Sequence, residues 1–107
     1  MKSIDEYADF TDVVWKNPVD GNDPTTICAL GLVGEAGEVV EKVKKWQHYG
    51  KVWDNKDMVK ELGDVVFYWV RLCRHCGYEP SEVLQANVEK LTTRAEKGTI
   101  WGEGSDR

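Results

Sequence analysis

Apolar residues along this chain recur at three- and four-residue intervals, and no segment alternates at period two, so the pattern predicts helices and no strands. Ser3-Ile4-Asp5-Glu6 has the form of a capping box and opens a first helix that runs to about Trp15, where Asn17-Pro18 stops it. The stretch Asn17 to Asp23 reads as a loop, being rich in Asn, Pro, Asp and Gly. Asp23-Pro24 is an N-cap followed by proline at the first helical position, and starts a second helix that continues to about Tyr49 and ends at Gly50. Asp54 or Asn55 caps a third helix through about Cys76, with Gly77 at C′. Pro80 starts a fourth that reaches about Lys97 and stops at Gly98. The expectation is an all-α domain over 1–98, a four-helix bundle, with a C-terminal tail over 99–107.

At 100° per residue, Glu61, Asp64, Tyr68 and Leu72 share a narrow arc of helix three, beside a broad apolar wall of Met58, Leu62, Val65, Val66, Trp69 and Cys73. Helix two repeats the layout, with Glu35, Glu38 and Lys42 on an arc beside Cys28, Leu32, Val39, Val43 and Trp46. The acids are therefore expected at the edge of a buried seam. The two helices also share a phrase: Glu35-Ala36-Gly37-Glu38-Val39-Val40 returns as Glu61-Leu62-Gly63-Asp64-Val65-Val66. In each copy two carboxylates stand at i and i+3, one turn apart on one face. Two such helices side by side would gather four carboxylates that repel one another and call for a cation. Acid pairs at this spacing are also ordinary on amphipathic surfaces, but each copy here additionally places glycine in mid-helix, Gly37 and Gly63, with Gly31 and Gly34 nearby. Each glycine costs about 1 kcal/mol relative to alanine, which suggests close helix approach or room for a ligand.

The donor set narrows the ion. A di-iron bundle would present Glu-x-x-His pairs, whereas the residues three beyond Glu35 and Glu61 are Glu38 and Asp64. His48 and His75 lie outside both motifs and read as surface or helix-end histidines. An all-carboxylate set favours Mg²⁺ or Mn²⁺, and magnesium commonly shares its shell with substrate phosphates. Asn87, Lys90, Arg94 and Lys97 align along one face of helix four and could meet such phosphates; the alternative is a solvated basic stripe.

Composition removes other classes. A chain of 107 residues, 41% hydrophobic and 31% charged, is one soluble domain with enough apolar content to fold. A net charge of −5 argues against binding nucleic-acid backbones. No apolar run approaches a membrane span, and the start Met1-Lys2-Ser3-Ile4-Asp5-Glu6 is unlike a secretory signal, so a cytoplasmic protein is expected. Three cysteines fit a reducing compartment; Cys73-x-x-Cys76 falls late in a long apolar helix, and all three are read as core-type residues.

With these residues in place, the chain resembles the MazG-like nucleoside triphosphate pyrophosphohydrolases of the all-α NTP pyrophosphatase superfamily. The resemblance rests on Gly34-Glu35-Ala36-Gly37-Glu38 and Glu61-Leu62-Gly63-Asp64, which match a family hallmark of E-E-x-x-E followed by E-x-x-D. It extends to Ala29-Leu30-Gly31-Leu32-Val33-Gly34-Glu35, to Glu61 through Tyr68, and to Asn87-Val88-Glu89-Lys90-Leu91-Thr92-Thr93-Arg94. Gly34 replaces the first Glu of the hallmark, and the family's frequent R-Y-P is Arg94-Ala95-Glu96.

The resemblance implies that Glu35, Glu38, Glu61 and Asp64 hold Mg²⁺, with Glu35 or Glu38 as the base. It further implies that Lys90, Arg94 and Lys97 bind phosphates while Asn87 reaches phosphate or sugar, and that a (d)NTP is cut between its α and β phosphates to the monophosphate and pyrophosphate. It implies a homodimer or homotetramer as well. Trp15, Trp46, Tyr49, Trp53 and Trp69 are the candidates to stack on a base. Two alternatives stay open: a dUTPase-like or phosphoribosyl-ATP-type hydrolase of the same superfamily, and a non-catalytic helical dimerisation module.

Overall fold

The computed structural model describes residues 1, 3–16, 23–48, 50 and 54–98. Four helices follow in order: α1 Ile4–Val14, α2 Pro24–His48, α3 Asn55–His75 and α4 Pro80–Lys97. Among the described residues there is no strand, and the all-α expectation holds. The expected 17–22 part of the first loop, the tail over 99–107, Tyr49 and Trp53 lie outside the described residues.

The helix ends follow from their capping residues. Ser3 Oγ accepts the Glu6 N–H at 3.1 Å, Asp23 Oδ1 accepts that of Thr25 at 3.2 Å, and Asp54 Oδ1 accepts that of Lys56 at 2.8 Å. Each thereby satisfies a first-turn donor that has no partner within the helix. At the start of α4, Glu82 Oε1 accepts the Glu79 N–H at 2.9 Å while the Glu82 N–H donates to the Glu79 carbonyl at 3.0 Å. Gly77 and Gly98 close α3 and α4 with φ of 86° and 70°, a backbone state that disfavours any side chain.

Helices α2 and α3 form the principal pair, α1 packs on α3 and α4, and α4 also meets α3; among the described residues α2 packs against α3 alone. The buried side chains gather at one end. Ala8 and Thr11 of α1, Cys28 near the start of α2, Val70, Arg71 and Cys73 in the second half of α3, and Pro80 of α4 make up this core. Cys28 and Cys73 are thus core thiols as expected, and burial pushes both above their ordinary pKa. Cys76 departs from the core-type expectation: it follows the last turn of α3 and is exposed, and none of the three cysteines is in a disulfide.

Polar contacts lock that end. The Arg71 guanidinium donates to Thr11 Oγ1 at 3.2 Å and to Asp12, and lies 5.3 Å from the Trp15 ring centroid. Arg74 donates to Asp9 at 3.0 Å and to Glu79 at 2.7 Å. Asp5 accepts the Ser81 N–H at 3.0 Å, tying α1 to the first turn of α4. No described helix is long and apolar enough to cross a membrane.

Candidate active site

The repeated acidic phrase lies on the middle turns of α2 and the first half of α3, away from the buried end. Three contacts fix how these helices run past each other: Gly31 faces Tyr68, Glu35 gathers with Glu61 and Asp64, and Lys42 reaches Glu61. Numbers that rise along α2 meet numbers that fall along α3, so the two are antiparallel and the acids of both meet across one seam.

Glu35, Glu61 and Asp64 each offer a carboxylate oxygen, and the three oxygens lie within 4.8 Å of one another. Glu35 and Glu61 are half-buried and Asp64 is exposed. Burial first, and then the charges of Asp64, Glu61 and Glu38, push the Glu35 carboxyl above its ordinary pKa. The fourth expected ligand, Glu38, is exposed and stands outside this trio.

The seam differs from the expected one in which side chains it covers. Glu61 is itself half-buried, while Leu62 and Val66 of the predicted apolar wall turn outward, 50% and 39% exposed. Leu30, Val33 and Val40 of α2 are also exposed. Among the glycines near the acids, a Cβ on Gly31 would strike the Tyr68 ring at 2.5 Å, so there the helices need glycine to approach. A Cβ on Gly34, Gly37 or Gly63 would meet nothing within 4 Å. Close approach explains one glycine, and open space borders the other three.

On α4, Asn87, Lys90 and Lys97 are exposed, and Arg94 is half-buried with its Nε and Nη2 atoms buried and without a hydrogen-bond partner. Because α4 packs on α1 and α3, the described part of one chain does not pack this stripe against the α2 acids. Neither histidine joins the acids. His48 is exposed in the last turn of α2. His75 sets its ring edgewise 5.4 Å from Trp15, and burial lowers its pKa. Trp15 and Trp69 are half-buried and Trp46 is exposed. Arg71 and the contacts it makes with Asp12, Thr11 and Trp15 were not foreseen; the signal was an arginine within an apolar helical run, whose partners lie about sixty residues away in sequence.

The described chain is all-α, with acidic turns of two adjacent helices meeting across one partly open seam. The family model described as the MazG nucleotide pyrophosphohydrolase domain matches residues 24–99, and the chain belongs to that family. The match takes in α2, α3 and α4 whole and begins after α1. The chain is also similar to the Gene 37 protein of Mycobacterium phage L5, with 40% identity over 82 residues that span 73% of this chain and 72% of that protein. No solved structure matches it. Membership places the chain among hydrolases of the nucleotide pyrophosphatase type.

Proposed function

We propose that the chain is a Mg²⁺-dependent pyrophosphohydrolase that cuts a (d)NTP between the α and β phosphates, releasing (d)NMP and pyrophosphate, and so prunes or shapes a cytoplasmic nucleotide pool. The observation that carries this reading is the convergence of Glu35, Glu61 and Asp64 from two helices. The donor set fits the ion. Mg²⁺ takes oxygen ligands at about 2.0–2.1 Å, which sets opposite ligands about 4 Å apart, and the 4.8 Å cluster closes to that span by small rotations of three side chains, two of them only half-buried. Mn²⁺ would suit the same oxygens.

When bound, the ion would neutralise phosphate charge and acidify a water. Glu35, Glu61 and Asp64 would hold it. Glu38, one turn from Glu35 and not committed to the trio, is favoured over Glu35 as the carboxylate that takes the proton from the attacking water. Lys90, Arg94 and Lys97 would bind phosphate oxygens, and Asn87 would hydrogen-bond phosphate or sugar. Since among the described residues α4 does not pack on α2, a second copy is the proposed partner, as a homodimer or a homotetramer. The exposed Leu30, Val33, Val40, Leu62 and Val66 supply apolar surface beside the acids for that contact.

The test is a panel of the eight common NTPs and dNTPs with Mg²⁺ and product identification. Monophosphate plus pyrophosphate is expected from at least one, and Glu61→Gln should abolish it. Orthophosphate as the sole phosphorus product would refute the assigned bond, and turnover that survives Glu61→Gln and chelation would refute the site.

A further inference from the structure

The acid cluster carries its own cation. From α2, Lys42 brings Nζ to 3.8 Å from Glu61 Oε1, with the two side chains 34% and 19% exposed. Lys42 stands one turn beyond Glu38 and two beyond Glu35, so its ammonium enters from the C-terminal side of α2, toward a carboxylate that also belongs to the trio. The contact is single and long. An ammonium on a four-carbon stem, with its head at the rim, can leave such a partner without repacking. A divalent ion held by the trio would share the Glu61 carboxylate with Lys42 and would be repelled by its positive charge.

We propose that Lys42 is the built-in counter-cation of this site: it neutralises Glu61 while no divalent ion is bound, and must withdraw before Glu61 can serve the ion. It thereby raises the concentration at which free cation fills the site. Loading then favours an ion that arrives together with an anionic nucleotide, whose charge offsets the repulsion. This inference deepens the metal-dependent reading and rests on it.

The experiment is Mn²⁺ titration by calorimetry, without nucleotide, on wild type, Lys42→Met and Lys42→Arg. Methionine keeps the apolar stem and removes the charge; arginine keeps the charge. A partly exposed ion pair is worth up to roughly a fivefold shift in an equilibrium, so Lys42→Met should bind Mn²⁺ about three- to fivefold more tightly. Lys42→Arg should match wild type, and the difference should shrink as NaCl screens it. The metal-free Lys42→Met protein should also melt lower, and gain more from saturating Mn²⁺, than wild type. Affinity that is unchanged or weakened in Lys42→Met overturns the proposal. A wild type that binds no Mn²⁺ overturns it together with the metal-dependent reading. A wild type that binds Mn²⁺ but hydrolyses no nucleotide removes the catalytic reading alone, and the affinity comparison still decides the role of the lysine.

Discussion

Gly31→Ala tests the seam that holds the acids. A Cβ at Gly31 would lie 2.5, 2.6 and 2.7 Å from Cε1, Cδ1 and Cζ of Tyr68, about 1 Å inside ordinary carbon contact of about 3.5–4.0 Å. Gly31 is one turn before Glu35, and Tyr68 is one turn after Asp64, so on antiparallel helices this contact is the turn adjoining the cluster. The added methyl must expel the ring or part the helices beside the acids. Alanine gains about 1 kcal/mol in helix propensity, and overpacking costs about 1–3 kcal/mol, which leaves a net loss of up to about 2 kcal/mol. For a domain of this size each kcal/mol lowers Tm by about 4–8 °C. Gly37→Ala is the control: its Cβ meets nothing within 4 Å, so the propensity gain is not opposed within the chain. Thermal melts with and without Mn²⁺ should show Gly31→Ala below wild type with a smaller Mn²⁺ increment, because Glu35 and Asp64 are moved apart. If Gly31→Ala melted as high as Gly37→Ala with the full increment, the claim that this contact sets the helix spacing at the acids would be wrong.

Two further outcomes follow from the charges. Arg71→Met removes hydrogen bonds to Thr11 and Asp12, and should cost about 2 kcal/mol in urea unfolding. The Arg71 hydrogen bond holds the Asp12 carboxyl below its ordinary pKa, so wild type has this stabilisation above the ordinary aspartate pKa and loses it as pH falls through the lowered value. The variant should lack that part of the acid dependence, and an unchanged acid limb would count against the clamp. Glu35 has the opposite sign: its raised pKa means that stability is lost as pH rises from the ordinary glutamate range through the raised value. Glu35→Gln in EDTA should flatten that loss and be the more stable protein at neutral pH, as urea midpoints from about pH 4 to 8 would show; a wild-type slope would mean that neither burial nor the neighbouring carboxylates disfavour the Glu35 charge.

What the sequence made legible is what short-range chemistry decides. Ser3, Asp23 and Asp54 cap helices because a short oxygen-bearing side chain reaches its own first turn, and Gly77 and Gly98 end helices because the left-handed state is theirs. The i, i+3 acid pairs were read onto facing sides of two adjacent helices, and three of the four acids meet. Rotation of α3 about its axis was not legible. Its apolar arc is broad enough that shifting the buried edge places Glu61 toward the seam and turns Leu62 and Val66 out, and hydrophobic spacing alone does not choose between those settings. Nor were Arg71 and Arg74 legible as the clamp on α1, since a charged residue carries no local mark of a partner on another helix. The spacing of Asn87, Lys90, Arg94 and Lys97 placed them on one helix, but which helices α4 packs on is a property of the connections rather than of the stripe.

The division of α3 into two halves gives this arrangement a physical logic. Its second half sits in the core, where Val70 and Cys73 are buried and Arg71 and Arg74 pair with Asp9, Asp12 and Glu79. Its first half bears Glu61 and Asp64 against Glu35, where like charges oppose one another. From Asp64 to Arg71 is about 10 Å along the helix at 1.5 Å per residue. Unfavourable charge is therefore kept about two turns away from the contacts that stabilise the fold, so side chains at the acid end can rearrange around a ligand without loosening the clamp. The same separation means that neutralising an acid should change local stability and ion affinity together, whereas breaking the clamp should change global stability while the acid seam itself is untouched.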